Sequence, residues 1–251
     1  MSGRDGSVGG AAGAAGGTAG TGGASQAGSA GVGGTTAGGG RGGVAGNGAN
    51  GGSGFSNPKS YACNLVLGVS ITHDWFVGGF ETSVDDAKWE AMAPDATGMA
   101  FVETWADPNG ATWSFPKLSP CATNSMQPER VIFTGVNWTY TTAAQWVTAL
   151  EGFVGTVQKK FPSVREIDLM TMLRAPGNMM GPGCTSTEDV VQPFIDTAIQ
   201  TVVANHPQLV RAAPKFYAPS CDVFTGGGPH LTAAGKSVVA KIYGDSYAAE
   251  L

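Results

Sequence analysis

Apolar runs in the second part of the chain predict five β-strands. Each run is rich in Val, Ile, Leu and Phe and is continuous rather than alternating, as is typical of strands covered on both faces. The predicted strands are residues 64–70, 99–105, 130–138, 166–173 and 210–217. Such strands belong to a parallel sheet that lies between two layers of other structure.

Apolar residues at helical spacing predict helices between the later strands. The first predicted helix is 141–160, with Thr141 or Thr142 as its N-cap and Pro162 beyond its end. The other two predicted helices are residues 187–205 and residues 232–243 or slightly beyond. Strand and helix alternate from residue 130 to the end, so we expect an α/β fold with a three-layer, doubly wound parallel sheet. Residues 105–130 hold four prolines and predict a long loop.

The first 54 residues differ in composition from the rest. They hold 24 of the 40 glycines, three charged side chains and no aromatic residue. Such a segment buries too little surface to offset its chain entropy. We therefore predict a Gly/Ala-rich disordered leader or tether over residues 1–54 and one folded domain over residues 55–251.

Charge and hydropathy exclude several classes of partner. The predicted domain has a net charge of −6 and no basic cluster, which argues against nucleic acid and anionic membranes. No apolar run approaches the roughly 18 residues of a membrane-spanning helix. The N-terminus lacks the basic and apolar pattern of a signal peptide, so we expect either a cytoplasmic protein or an export signal outside this chain.

Four cysteines favour the second of these locations. Their spacing contains no Cys-x-x-Cys, which argues against zinc, and their even number permits two disulfides. Cys184 and Cys221 flank predicted strands at the same sheet edge and are expected to pair, which leaves Cys63 with Cys121. Four unrelated buried thiols remain the alternative. Disulfides together with a Gly-rich tether predict an extracellular or cell-surface protein.

Three polar side chains are predicted to meet at the carboxyl edge of the sheet. Ser70 ends the first predicted strand in Gly68-Val69-Ser70, Asn137 ends the third, and His230 precedes the last helix. Ligands of open α/β sheets bind at this edge. Nucleophile, oxyanion donor and base are the groups that acyl transfer requires.

These segments resemble the motif blocks of the SGNH, or GDSL-type, esterase and lipase family. Gly68-Val69-Ser70 is similar to the Gly-Asp-Ser block, and Gly135-Val136-Asn137-Trp138 to the Gly-x-Asn-Asp block. Pro229-His230-Leu231-Thr232-Ala-Ala-Gly235 is similar to the histidine block and the helix start that follows it. The resemblance extends from residue 60 nearly to the end of the chain. It implies a flavodoxin-like SGNH-hydrolase fold.

The chain departs from the family pattern at three places. Val69 replaces the Asp before the nucleophile, which matters little to the mechanism. Gly227 stands where the family has the Asp that orients the histidine, and Asp222 or a backbone carbonyl is left to take that role. The glycine that supplies a second oxyanion-hole N–H has no clear match, and Gly110 is the nearest candidate.

The resemblance implies a serine ester hydrolase with Ser70 as nucleophile, His230 as base and Asn137 as oxyanion donor. The expected substrate is a small-molecule or polysaccharide ester, with a short acyl or carbohydrate O-acetyl group. No metal or organic cofactor is implied, and the oligomeric state is open. The alternative is a non-catalytic binding module of the same fold, for which Gly227 is the main argument.

Overall fold

A five-stranded, all-parallel sheet forms the centre of the protein. The computed structural model describes residues 60–95, 98, 100–122, 127–176, 184, 194–225 and 230–249, so the predicted leader lies outside it. The strand order in the described part is β2-β1-β3-β4-β5. The strands are β1 (Asn64–Leu67), β2 (Trp89–Met92), β3 (Arg130–Thr134), β4 (Glu166–Met170) and β5 (Val210–Ala212).

Helices cover both faces of this sheet. They are α1 (Ser70–Phe76), α2 (Val102–Ala106), α3 (Ala143–Lys160), α4 (Ile195–Asn205) and α5 (Ala233–Ala248). A capping box starts α3: the Thr142 hydroxyl accepts from Gln145 N–H, and the Gln145 side chain accepts from Thr142 N–H. Thr232 caps α5 by accepting a hydrogen bond of 3.0 Å from Gly235 N–H.

The two faces of the sheet carry separate apolar cores. On one face, α1 and α5 pack together, and the rings of Trp75 and Tyr243 stack 4.5 Å apart. On the other face, α2, α3 and α4 cover the sheet, and the rings of Phe133 and Phe153 stack 3.8 Å apart. The result is the expected three-layer arrangement around a parallel sheet, which is compatible with a flavodoxin-like fold.

The predicted strand over residues 99–105 is wrong. Its second half forms α2, and the fully buried ring of Trp105 packs edge-on against that of Phe133. β1 pairs on one side with β3 and on the other with β2, Trp89–Met92, which the sequence pattern did not predict. Glu90 interrupts the apolar pattern of β2. Burial raises the pKa of this carboxyl group, which accepts hydrogen bonds from Lys117 Nζ at 2.5 Å and from Cys121 N–H at 3.2 Å.

The other four predicted strands are present but shorter than expected. The first ends at Leu67, so Ser70 begins a helix instead of ending a strand. The predicted helices over residues 141–160 and 232–243 are confirmed, the latter extending to Ala248. The helix predicted over residues 187–205 is present from Ile195 to Asn205, and residues 185–193 lie outside the described part.

Both predicted disulfides are present. Cys63–Cys121 joins the residue before β1 to the long loop, and Cys184–Cys221 closes a separation of 37 residues. In the described part of the chain, no helix has the length and apolar character needed to cross a membrane.

Candidate active site

Ser70 is the first residue of α1, just beyond the carboxyl end of β1. Val69 is the N-cap, with extended backbone angles, so the chain turns from strand to helix over two residues. A Cβ on Gly68 would lie 2.2 Å from Thr72 Oγ1, so this turn leaves no room for a larger residue. Ser70 is half-buried and its N–H lies at a position where a helix offers no carbonyl partner.

A small cavity of about 50 Å³ opens beside Ser70. Apart from the serine its walls are apolar side chains and a glycine: Val69, Ile71, Gly98, Ala100, Phe101, Val136, Trp138 and Met172. A water molecule occupies about 30 Å³ in the liquid, so this space suits a group of two or three heavy atoms. The cavity joins Ser70 to the residues on either side of Asn137.

Asn137 is buried and firmly held. Its Oδ1 accepts hydrogen bonds from Thr139 N–H and Thr139 Oγ1, both at 2.7 Å, and its Nδ2 donates to Glu103. An amide nitrogen carries two hydrogens, so one remains for a further acceptor. The same engagement makes the Asn137-Trp138-Thr139 sequence a poor acceptor for glycosylation.

Glu103 receives a second hydrogen bond from Tyr140. Burial, with the neighbouring carboxylate, raises the pKa of Tyr140, so its phenol keeps its proton and donates it to Glu103. Two donors therefore converge on one carboxylate and fix the orientation of the Asn137 amide. Sequence reasoning did not find either residue, because neither belongs to a motif block.

His230 precedes α5 and faces α1. Its carbonyl accepts hydrogen bonds from Thr225 N–H at 2.8 Å and Thr225 Oγ1 at 3.2 Å. Its Nδ1 lies 3.5 Å from Oδ2 of Asp74, which is longer than a hydrogen bond, and this buried nitrogen has no hydrogen-bond partner among the described residues. The imidazole therefore faces a carboxylate without yet bonding to it.

Asp74, on α1, is the carboxylate that faces the His230 ring. The residue is buried, with 3% of its surface exposed. Its Oδ2 accepts a hydrogen bond of 3.1 Å from Leu231 N–H, and its Oδ1 lies 2.6 Å from Lys236 Nζ. The only sequence signal for this role is its spacing of four residues from Ser70, which places both on one helix face.

Two residues were predicted for the missing roles: Asp222 to orient His230, and Gly110 to supply the second oxyanion N–H. The structure gives neither of them the expected contact. Asp222 lies in a short 3₁₀ helix, where its carbonyl is 3.3 Å from the Thr232 hydroxyl, and among the described contacts its carboxylate does not reach His230. Gly110 N–H donates to Asp107 O at 2.9 Å, so it is already committed within a turn. Gly227 lies outside the described residues.

A second cleft, of about 360 Å³, adjoins the small cavity. Gly98 borders both spaces. The other residues around the cleft are a mixture of polar, proline and apolar side chains: His73, Ala93, Pro94, Asp95, Phe115, Pro116 and Leu118. The edge of the sheet thus offers a narrow space beside Ser70 and a wider, more polar one next to it.

One group of possible metal ligands occurs among the described residues, formed by Cys63, Glu90 and Cys121. Its two sulfurs are bonded to each other as a disulfide. A metal binds the thiolate form of cysteine, so the oxidised protein offers only the carboxylate here.

No protein-family model matches this chain, and no curated protein sequence matches it. Several solved structures, among them the following three, are similar in fold at low identity. They are the salicylyl-acyltransferase SsfX3 from a tetracycline biosynthetic pathway (12% identity, TM-score 0.44), a protein from Lactobacillus plantarum (14%, 0.41) and the periplasmic domain of a lipopolysaccharide acetyltransferase from Salmonella ser. Paratyphi A (17%, 0.41). The matches cover 76%, 74% and 72% of this chain, and 55%, 95% and 82% of the respective neighbours, so the chain spans about half the length of SsfX3. At these TM-scores the likeness carries no argument about activity.

Proposed function

We propose that this chain is an SGNH-type serine hydrolase that cleaves short-chain carboxylic esters, including O-acetyl groups on carbohydrate. The observation that carries the proposal is the position of Ser70. It begins a helix at the carboxyl edge of the sheet and borders a small apolar cavity that is also lined by Val136 and Trp138, the neighbours of the anchored Asn137.

The proposed reaction has two halves. Ser70 Oγ attacks the ester carbonyl carbon while His230 Nε2 takes the hydroxyl proton, and that proton leaves with the alcohol when the C–O bond breaks. Water then attacks the acyl-serine, His230 takes its proton, and the carboxylic acid leaves as Ser70 recovers a proton. The free Nδ2 hydrogen of Asn137 and the N–H of Ser70 stabilise the oxyanion in both halves.

The cavity dimensions favour a short acyl group. About 50 Å³ accommodates an acetyl methyl and carbonyl but not an extended chain. The wider cleft that shares Gly98 with it has room for the alcohol part of the ester. Its aromatic ring, Phe115, and its polar side chains, His73 and Asp95, suit a sugar, which presents both an apolar face and hydroxyl groups.

The cellular location belongs to the same proposal. Two disulfides persist in oxidising compartments, and the Gly-rich first 54 residues have the composition of a tether. We therefore place the domain outside the cell or tethered at its surface.

Hydrolysis of aryl acetate, butyrate and octanoate by the purified chain tests this function. We expect kcat/KM to fall as the acyl chain lengthens and Ser70→Ala to lower turnover by roughly 10³-fold or more. Ser237→Ala, at an exposed serine on α5, is the matched control and should keep full turnover. A serine-directed phosphonate should add once, at Ser70, by intact-mass analysis.

The second candidate is a carbohydrate-binding module without catalysis, which the wide cleft with Phe115 favours. A folded protein that shows neither turnover nor a phosphonate adduct would contradict the hydrolase and favour the binding module. Binding would then be lost with Phe115→Ala and retained with Ser70→Ala.

A further inference from the structure

We propose that Asp74 is the positioning residue for His230 and takes the place of the carboxylate that the chain lacks at Gly227. The inference rests on the proposed function in assigning His230 as the base. It adds that the nucleophile and the orienting carboxylate come from one helix, four residues apart, while the base alone comes from the distant C-terminal loop.

The first argument is geometric. Ser70 and Asp74 both lie on α1, and residues separated by four positions share a helix face, with Cβ atoms about 5–6 Å apart. His230 Nδ1 approaches the later of the two, at 3.5 Å from Asp74 Oδ2. Since Nδ1 and Nε2 are on different sides of the ring, an imidazole that turns Nδ1 to Asp74 has Nε2 free for a hydroxyl.

The second argument is that His230 Nδ1 lacks the hydrogen bond that a buried nitrogen requires. The atom is buried and has no hydrogen-bond partner among the described residues. A buried polar atom without a partner destabilises the fold, so a carboxylate within half an ångström of bonding range is a strong attractor. Catalytic hydrogen bonds are often long in unliganded proteins and shorten when substrate binds.

The third argument is that neighbouring groups hold the Asp74 carboxylate in a fixed orientation. Lys236 Nζ pairs with Oδ1 at 2.6 Å, which leaves Oδ2 directed at the loop that carries the histidine. There Oδ2 accepts from the N–H of Leu231, the residue after His230, at 3.1 Å. One carboxylate thus fixes the backbone beside the histidine and faces its ring.

The consequence is control of the imidazole tautomer. A carboxylate at Nδ1 keeps the proton there, so Nε2 presents a lone pair and can accept the proton of Ser70. The same negative charge stabilises the imidazolium that forms in the transition state. Asp222, the other acidic residue close in sequence to this loop, makes no such contact.

Nitrogen NMR of ¹⁵N-histidine-labelled full-length protein tests the inference without relying on turnover. The chain has three histidines, so removing His73 and His206 in turn assigns the third. Above the ordinary titration range of histidine, we expect His230 mainly as the Nδ1–H tautomer. Asp74→Asn should shift it toward the Nε2–H tautomer, because the new amide donates to Nδ1. Asp222→Asn should leave it unchanged.

The kinetic counterpart uses the aryl acetate assay. Asp74→Asn should lower kcat by about 10²–10⁴-fold with little change in KM, while Asp222→Asn retains wild-type kcat. Lys236 Nζ beside Oδ1 favours the asparagine oxygen at that position, which turns the NH2 group toward His230 Nδ1. Thermal unfolding of the variant verifies that it folds.

Several results would overturn the inference. One is the finding that His230, with Asp74 unchanged, is mainly the Nε2–H tautomer. Another is a loss of kcat in Asp222→Asn that exceeds the loss in Asp74→Asn. The tautomer shift with no ester turnover by the wild-type chain would uphold the pairing of Asp74 with His230 and refute the hydrolase instead.

Discussion

The side-chain amide of Asn137 donates a hydrogen bond to the carboxylate of Glu103, and the opposite end of that amide accepts two from Thr139. This arrangement fixes the amide and leaves one Nδ2 hydrogen for the oxyanion of the proposed reaction. Asn137→Ala is therefore expected to lower kcat for aryl acetate by roughly 10²–10³-fold with KM little altered.

The matched control for Asn137→Ala is Asn205→Ala. Asn205 is exposed at the end of α4 and donates to Glu151 at 2.8 Å, far from β3 in sequence. It should retain wild-type kcat. Equal kcat values for the two variants would remove Asn137 from the reaction.

Two glycine-to-alanine variants separate a required glycine from a tolerated one. Gly68→Ala puts a Cβ 2.2 Å from Thr72 Oγ1, so the start of α1 must shift and carry Ser70 with it. Gly155, inside α3, has no atom within 4 Å of the added Cβ. We expect Gly68→Ala to lower both kcat and the melting temperature, and Gly155→Ala to raise stability by about 0.5–1 kcal/mol. Urea unfolding and steady-state kinetics measure the two effects, and a Gly68→Ala protein with unchanged kcat would contradict the first.

The two disulfides should differ in their effect on activity. Replacing Cys184 and Cys221 by serine opens a closure of 37 residues, worth on the order of 4 kcal/mol in the chain-entropy description. Cys221 begins the turn whose Val223 carbonyl accepts from Thr232 N–H at 2.8 Å, next to the His230 loop. We expect this double variant to lose kcat even well below its melting temperature.

The Cys63–Cys121 pair supplies the comparison. Cys63 precedes β1 at the amino edge of the sheet, away from Ser70, so its replacement together with Cys121 should cost similar stability and leave kcat intact. Loss of kcat in both double variants to the same degree would show a general folding defect instead.

The environment of Glu129 predicts how the free energy of unfolding changes at acidic pH. The Ala62 N–H, at 2.8 Å, and then Arg165, also at 2.8 Å, hold the pKa of Glu129 below its ordinary value. A lowered pKa means that the ionised carboxylate stabilises the fold. Its contribution is complete above about pH 4.5 and is lost as the pH falls through the lower value in the folded protein.

Glu129→Gln should therefore unfold more readily at neutral pH, by about 1 kcal/mol. The gap from wild type should narrow between neutral pH and about pH 3, because the stabilising carboxylate begins to take up a proton in the folded chain as the pH falls toward its lowered pKa. Urea titrations at the two pH values give the comparison, and a gap that is independent of pH would refute the assignment.

Apolar runs were sufficient to predict β1, β3, β4 and β5, although β4 also holds the buried carboxylates of Glu166 and Asp168. They were insufficient for Trp89–Met92, where Glu90 is buried by pairing with Lys117 across a loop. A local sequence pattern does not show that Glu90 has an ion-pair partner 27 residues away.

The candidate site shows the same division. Ser70, Asn137 and His230 belong to local motifs and were identified from them. Asp74 was not, because its partners Leu231 and Lys236 are remote in the chain, the first by 157 residues. The first predicted strand also extended to Ser70, whereas β1 ends at Leu67 and Ser70 begins the helix that carries Asp74.

The order of synthesis separates the parts of the proposed site. Ser70 and Asp74 leave the ribosome together and reach their relative position as soon as one helical turn forms. His230 and Lys236 are made some 160 residues later. A growing chain that has not reached His230, or one truncated before it, would therefore carry Ser70 without the proposed base and should not hydrolyse esters.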